Sequence, residues 1–473
     1  MTRVLSVTSE CVPLVKTGGL ADVAGALPGA LVEHGVEMRT LLPGYRPVLA
    51  ARPDAPVVFD IPDLFGGPAS IRSARLGRTV LYILDAPHLF DRDGSLYLGP
   101  DGYDWPDNPQ RFAALSLAAA MVAAYGIEDW FPEILHLHDW QAGFTPVYLR
   151  ELGAAERVKT LMTIHNIAFQ GCSPGDTVGA LGLPPQGFTQ SGFEYWGQVS
   201  ALKAGIVGAT KVSTVSPTYA QELMTPEFGM GMEGVLAGRA ADFVGILNGI
   251  DEEVWSPPYR APAAKKKLKA ALREELHLPE SDGPLCVVVS RLTGQKGFDL
   301  LLEALPALIE QGGQLALLGS GDPWFEGAFR DAALTHPGVS VRIGYDEEFA
   351  RRLIEAGDAI LLPSRFEPCG LTQLYALRYG TLPLVSLTGG LADTVINANA
   401  AALARGVATG LQFHPTTALA LRQALTRLCT LYRDPALWAK MARNAMAQPV
   451  GWSASAAAYA ALFAEMTAVD DAG

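Results

Sequence analysis

Four short stretches carry residue types suited to an anionic, hydroxyl-rich ligand. The first is Lys16-Thr17-Gly18-Gly19-Leu20, with Asp22 just beyond it. Glycines at a helix start let backbone N–H groups approach an anion, and the helix dipole favours negative charge there. A lysine adds a mobile point charge suited to phosphate. Neither G-x-x-x-x-G-K-[ST] nor G-x-G-x-x-G is present, and an ordinary glycine turn with a solvated lysine fits the spacing equally well. The second stretch is SRLTGQKGFD, with Arg291 and Lys296 at a strand-to-helix turn. Two cations with glycines among them suit a diphosphate; the plain alternative is a solvated charged turn. The third is SRFEPCGLT. Glu367 can accept hydrogen bonds from sugar hydroxyls or neutralise a developing cation, while Gly370, Leu371 and Thr372 open a helix able to meet phosphate. Equally, Glu367 can be a helix-capping acid. Cys369 has no histidine base nearby in sequence and reads as lining rather than nucleophile. The fourth combines His136-Leu137-His138-Asp139-Trp140 with Thr163-Ile164-His165-Asn166, both at strand ends. His136 and His138 point to one side of a strand, but no H-E-x-x-H or cysteine cluster supplies further ligands, so no metal is expected. His165 and Asp139 read as hydrogen-bonding groups at a ligand or as structural polar residues. Asp91-Arg92-Asp93 matches D-x-D yet lies in a glycine-rich loop and reads as a solvated turn. The aromatic residues from Tyr97 to Trp105 suit sugar stacking or loop anchoring.

These stretches need elements to hold them. Short apolar strands are expected at Arg3–Thr8, Met38–Leu42, Thr79–Leu84, Ile134–His138, Lys159–Ile164 and Lys211–Val215, most followed by a helical pattern. Continuous apolar strands separated by helices indicate a parallel sheet covered on both faces. Asp251–Lys269, rich in Pro and Lys and without a strand period, reads as a linker. The same grammar then restarts with strands at Leu285–Ser290, Gln314–Leu318, Ser340–Ile343, Asp358–Leu362 and Leu382–Ser386. The reading is therefore α/β, with two doubly wound Rossmann-like domains facing a central cleft: 1–250, 251–452, and a C-terminal helical segment 453–473 packing back on the first domain. The cleft is the default ligand site.

Composition agrees with large buried cores: 49% of the 473 residues are hydrophobic and 18% charged, which excludes a disordered or fibrous chain. A net charge of −13 argues against nucleic acid or an anionic membrane as partner, so any anionic ligand must meet local positive charge. Five scattered cysteines without C-x-x-C argue for a reducing compartment and against a disulfide framework. The first residues resemble neither a signal nor a transit peptide, and Ala113–Ile127 is too short for a membrane span. A cytoplasmic protein is expected.

With these residues in view, the chain resembles bacterial glycogen synthases and plant starch synthases over nearly its whole length. The match runs through SECVPLVKTGGLADVAGALP, PDGYDWPDNPQRFAALS, LHLHDWQAG, TIHNIAFQG, LNGID, SRLTGQKGFDLL and SRFEPCGLTQLYALRYGTLP. The resemblance implies a GT-B glycosyltransferase that moves glucose from ADP-glucose to the non-reducing 4-OH of an α-1,4-glucan (glycogen or a maltooligosaccharide), with retention and without metal or organic cofactor. It implies that Lys16, Gly18, Gly19 and Asp22 lie at the donor. Arg291 and Lys296 would neutralise the departing diphosphate, and Glu367 would bind the transferred glucose. His165 would lie near the anomeric centre, with Asp139 and Asn248 as further polar groups. Tyr345 would stack on adenine, Tyr97 would line the acceptor channel, and Cys369, Gly370, Leu371 and Thr372 would line the donor site. Two positions depart from the pattern: Tyr375 stands where many related transferases repeat a glutamate, and Pro109 where an aromatic is expected. The competing readings are a GT-B sugar-nucleotide epimerase, a phosphorylase, which would need a PLP lysine and a longer chain, and a non-catalytic glucan-binding protein. The sequence says nothing of oligomeric state.

Overall fold

The computed structural model describes residues 1–468; residues 469–473 of the C-terminal segment lie outside the described residues. The chain divides into two units: residues 1–248 joined by the segment from Trp452 onward, and Gly249–Gly451.

The first unit is built on β1 (Thr2–Val7), β2 (Val36–Pro43), β3 (Val57–Ile61), β4 (Ala69–Leu76), β5 (Thr79–Asp85), β6 (Ile134–His138) and β7 (Lys159–Ile164). A small antiparallel sheet of β8 (Cys172–Pro174), β9 (Glu194–Tyr195) and β10 (Gln198–Ser200) follows, then β11 (Lys211–Thr214) and β12 (Phe243–Gly245). The main sheet runs β12-β11-β7-β6-β1-β2-β5-β4-β3. It is parallel up to β5, and β4 and β3 extend it antiparallel. The chain leaves β1 toward β2 and later returns to place β6 on β1's other side, so the strand order reverses between β1 and β6. Ligands of open parallel sheets bind outside the strand carboxyl ends at such a reversal. The loops there are Thr8–Gly18 and the turn at Asp139.

The helix Gly19–Leu31 covers this sheet, burying Val23, Leu27 and Leu31. Beside it lies the returning helix Trp452–Thr467. Trp452, Tyr459, Phe463 and Met466 share one core with Val4, Val23, Leu27, Ile134 and Leu161. The rings of Tyr459 and Phe463 stand 5.3 and 5.8 Å from that of His136. Thus the last helix supports the strand carrying His136 and His138.

The second unit contains β13 (Leu285–Val289), β14 (Gln314–Gly319), β15 (Val339–Ile343), β16 (Ala359–Leu362), β17 (Leu382–Ser386) and β18 (Leu411–Phe413). Its sheet order is β15-β14-β13-β16-β17-β18, all parallel, with the reversal between β13 and β16. Here the loops at the reversal are Ser290–Gly297 and Pro363–Leu371.

One expectation needs correction. Asp251–Lys269 is not a free linker: it lies within the second unit, and the helix Lys265–Glu275 begins inside it. Lys265 is buried, its ammonium donating to the carbonyls of Tyr379 (3.1 Å) and Ile354 (3.4 Å) and to the Thr381 hydroxyl. Tyr259 donates to the Tyr379 and Glu355 carbonyls at 2.9 and 3.1 Å. Trp255 stacks on Tyr375 with centroids 3.6 Å apart. Among the described residues, no helix is long and apolar enough to cross a membrane.

Candidate active site

In the first unit the loop after β1 is organised by a residue that the motif reading did not single out. The Glu10 carboxylate accepts the backbone N–H groups of Thr17 (2.6 Å) and Gly18 (3.1 Å), the Thr17 hydroxyl, and the Tyr97 hydroxyl (2.6 Å). Tyr97 also bonds the Ser9 hydroxyl at 2.8 Å, and burial beside Glu10 pushes its own proton loss well above the ordinary range. Tyr97 is thus an anchor between two loops, one of the two roles its position allowed. An intramolecular carboxylate, not an open anion seat, holds the N–H groups of Thr17 and Gly18. Lys16 leaves the loop as a half-exposed ammonium, 2.8 Å from Asp22.

Asp139 follows β6 with φ +55° and ψ −171°. A non-glycine residue in that region is strained, and such strain persists where the surroundings over-determine it. They do so here: its N–H donates to the Thr163 carbonyl at 3.0 Å, and its Oδ1 accepts the N–H of His165 at 2.7 Å. Burial, opposed by the His165 and Asn166 N–H groups that donate to Oδ1 and assisted by Glu10's charge, raises its carboxyl to about 7. His165 Nε2 meets His138 Nδ1 at 2.9 Å, and His138 Nε2 meets Ser6 Oγ at 3.0 Å. His136 Nε2 meets Thr163 Oγ1 at 2.7 Å. Burial lowers His136 and His165 to about 3 and His138 well below its usual value, so all three rings are neutral. The strand ends therefore present a neutral imidazole and a proton-retaining carboxyl. Asn248, at the end of this unit's segment, is buried, and its Oδ1 has no hydrogen-bond partner among the described residues.

In the second unit the two cation- and carboxylate-bearing loops meet. Lys296 Nζ lies 2.6 Å from Glu367 Oε2, which also accepts Ser364 Oγ at 2.9 Å. Glu367 is buried, and no side chain caps the helix Thr372–Arg378; its N-cap is Leu371. Glu367 therefore makes no capping hydrogen bond to that helix. Two hydrogen bonds tie the loops further, from Arg365 N–H to the Gln295 carbonyl (2.8 Å) and from the Gln295 side-chain Nε2 to the Phe366 carbonyl (3.1 Å). Gly297 is required by both space and backbone: its φ is +68°, and a Cβ would stand 2.0 Å from the Pro363 carbonyl oxygen. Arg291 is exposed, and no hydrogen bond or ion pair engages its guanidinium among the described residues. An unengaged cation and a paired one on the same loop at a strand-order reversal suit a ligand with adjacent phosphates.

Two glycines behind this loop were also missed. Cβ atoms on Gly389 and Gly390 would lie 1.9 Å from the Glu367 carbonyl oxygen and 2.1 Å from that of Cys369. The visible signal was the Gly-Gly pair directly after an apolar strand. Gln373 Nε2 secures the same loop through the carbonyls of Cys369 and Gly370, both at 2.9 Å. Cys369 is buried and forms no disulfide. Tyr345, after β15, is 84% exposed. Tyr375, by contrast, is a packing residue against Trp255. Asp91 and Asp93 both pair with Arg46.

Comparison with known proteins adds family to geometry. Residues 3–238 match the family model of the starch synthase catalytic domain, and residues 269–445 that of glycosyl transferases group 1. A glycogen synthase of Paracoccus denitrificans is 71% identical over 99% of this chain and 100% of its own length. One of Jannaschia sp. is 57% identical over 98% and 99%. Among solved structures, the catalytic domain of starch synthase IV from Arabidopsis thaliana, bound to ADP and acarbose, superposes with a TM-score of 0.85 at 29% identity, covering 98% of this chain and 99% of that one.

Proposed function

The chain belongs to the glycogen and starch synthase family of GT-B glycosyltransferases, enzymes of glycogen elongation, and from that premise we propose that it moves glucose from ADP-glucose to the non-reducing 4-OH of an α-1,4-glucan with retention of configuration. The observation that carries this reading is the Lys296–Glu367 contact, made from the loop that also carries the unengaged Arg291. The donor's diphosphate is met by Arg291 and Lys296, with Tyr345 under the adenine. Glu367 holds hydroxyls of the transferred glucose, and the Gly370–Thr372 loop lines the phosphates.

The chemistry follows from charge. As ADP departs it gains negative charge, while the anomeric carbon gains oxocarbenium character. Fixed cations stabilise the first more strongly in the transition state than in the ground state. Glu367 is assigned to the glucose hydroxyls and burial keeps Asp139 protonated up to about pH 7, so no carboxylate is assigned to a double displacement. Attack is assigned to the departing face, with the leaving phosphate taking the acceptor's proton. His165 and Asp139 orient the sugar hydroxyls. Arg291 and Lys296 balance the diphosphate, so the reaction is assigned no metal or cofactor. Five cysteines, none in a disulfide, support a cytoplasmic setting.

The test is a donor screen: ADP-glucose against UDP-glucose with glycogen as acceptor, each with and without EDTA. Glucan synthesis from ADP-glucose, unaffected by EDTA, is expected. EDTA inhibition reversed by Mg²⁺ or Mn²⁺ would overturn the metal-free mechanism, and preference for UDP-glucose would overturn the donor.

A further inference from the structure

The hairpin joining β9 to β10 turns at Trp196-Gly197, with φ of +50° and +79°. Two left-handed residues make the tight turn of a two-residue hairpin, for which Asn-Gly is the least strained pair. A tryptophan there holds a backbone conformation that its bulky side chain disfavours. It is also 82% exposed, leaving nearly a whole indole in water. Strain and exposure coincide at one residue, and strain held by its surroundings marks sites of use.

The surroundings hold it firmly. Gly197 N–H donates to Glu194 Oε1 at 2.7 Å, and the Tyr195 ring stands edge-on to the indole, centroids 6.3 Å apart. Tyr195 Oη donates to the Met230 carbonyl at 2.7 Å, and Gln170 Nε2 donates to the same carbonyl at 3.2 Å. Just past the hairpin, the Ser200 hydroxyl and the Leu202 N–H donate to the Gln170 carbonyl at 3.2 and 3.1 Å. Three segments are therefore tied at two carbonyls, and each shows water an apolar side chain: Trp196, Phe169 (56% exposed) and Met230 (39%). The segment bearing Phe169 runs directly on from His165.

We propose that Trp196, with Phe169 and Met230 on the segments tied to its hairpin, is a stacking platform for a distal glucose unit of the glucan acceptor. A pyranose ring has a face of C–H groups that pairs with a flat aromatic face, and the indole N–H can donate to a ring hydroxyl. The occupant follows from chain continuity: Phe169 stands four residues past His165, where the glucan-elongating reading puts the end of the acceptor, and the hairpin is tied to the next residue, Gln170. The inference rests on the glucan-elongating reading.

Trp196→Asn is the informative variant, because asparagine accepts this φ and the turn is kept. The platform predicts that apparent KM for glycogen rises about fivefold, the scale of one aromatic contact. Retardation in glycogen-containing native gels should weaken, while kcat and KM for ADP-glucose stay unchanged. Trp196→Tyr should restore most of the difference. Unchanged glycogen KM and retardation in Trp196→Asn would overturn the proposal. So would a loss of self-association by sedimentation with glycogen affinity intact, which would give the face to a second copy of the chain. If the wild type makes no glucan from ADP-glucose yet is retarded through Trp196, the activity reading fails and the platform stands.

Discussion

Lys296 and Glu367 are mostly buried and 2.6 Å apart, so removing either strands a charge. Lys296→Ala and Glu367→Ala should each cost about 3 kcal/mol of stability in the second unit. The double variant should melt above either single one, because no lone charge remains. All three should lose roughly 100-fold or more in kcat, the scale of losing one preorganised stabiliser. Calorimetry and initial rates separate the two effects, and a Glu367→Ala enzyme with near-native turnover would refute its role at the glucose. Asp139 supports a pH prediction. Its folded value of about 7 lies above the ordinary 3.8, so the stability it contributes is present below about pH 4 and lost as pH rises toward 7. Should its carboxylate be the form that orients a sugar hydroxyl, kcat/KM climbs with pH between about 6 and 8, and Asp139→Asn removes that limb. A pH–rate profile flat across the interval would assign Asp139 to structure alone. At this scale the sequence was informative about residue type but silent about partners. SRFEPCGLT showed a carboxylate before a helix and could not tell a cap from a ligand group, because the deciding contact, Lys296, lies 71 positions away.

Between strands, the loop after β1 is an element made rigid by one side chain. Glu10→Ala removes the acceptor for two backbone N–H groups and two hydroxyls. Bonds to a charged acceptor are worth about 1.5–3 kcal/mol each, net of the exchange with water. Amide exchange at Thr17 and Gly18 should accelerate, and KM for ADP-glucose should rise with the loop's disorder; unchanged exchange would show that the turn holds itself. Glu10 was legible only as part of a motif, since its partners are seven, eight and 87 positions on. The parallel strands were legible because burial on both faces makes them uninterrupted apolar runs, as in LCVVV of β13. By contrast, β3 and β4 are not legible in the sequence. They extend the sheet antiparallel, and β4 sets buried Ala69 and Ile71 between half-solvated Ser70 and Arg72, a pattern too polar to read as core. Lys265 misled for a related reason: a lysine run reads as solvated, yet three oxygen acceptors let one ammonium be buried.

For the molecule as a whole, the second unit is one continuous stretch of chain and the first is not. A fragment of residues 249–451 should unfold cooperatively by itself. A chain stopped after Gly451 should retain that transition but lose a native first unit, because Trp452, Tyr459, Phe463 and Met466 leave its core together. Each large apolar side chain lost from such a core costs about 2–5 kcal/mol, and four exceed the stability of most domains. Two-transition calorimetry of the shortened chain tests this; an unchanged first transition would make the helix an accessory. His136 would feel the loss first, being packed against two of those rings. The returning helix also fixes an order of events at the ribosome. Residues 249–451 emerge before Trp452–Thr467, so the part made first is the part finished last. Until translation reaches that helix, the seat formed by Val23, Leu27, Ile134 and Leu161 stays open to solvent. Every nascent chain thus passes through a stage with one finished half and one apolar groove waiting for its plug, a natural substrate for a chaperone and a built-in check that only chains translated through the helix become enzyme.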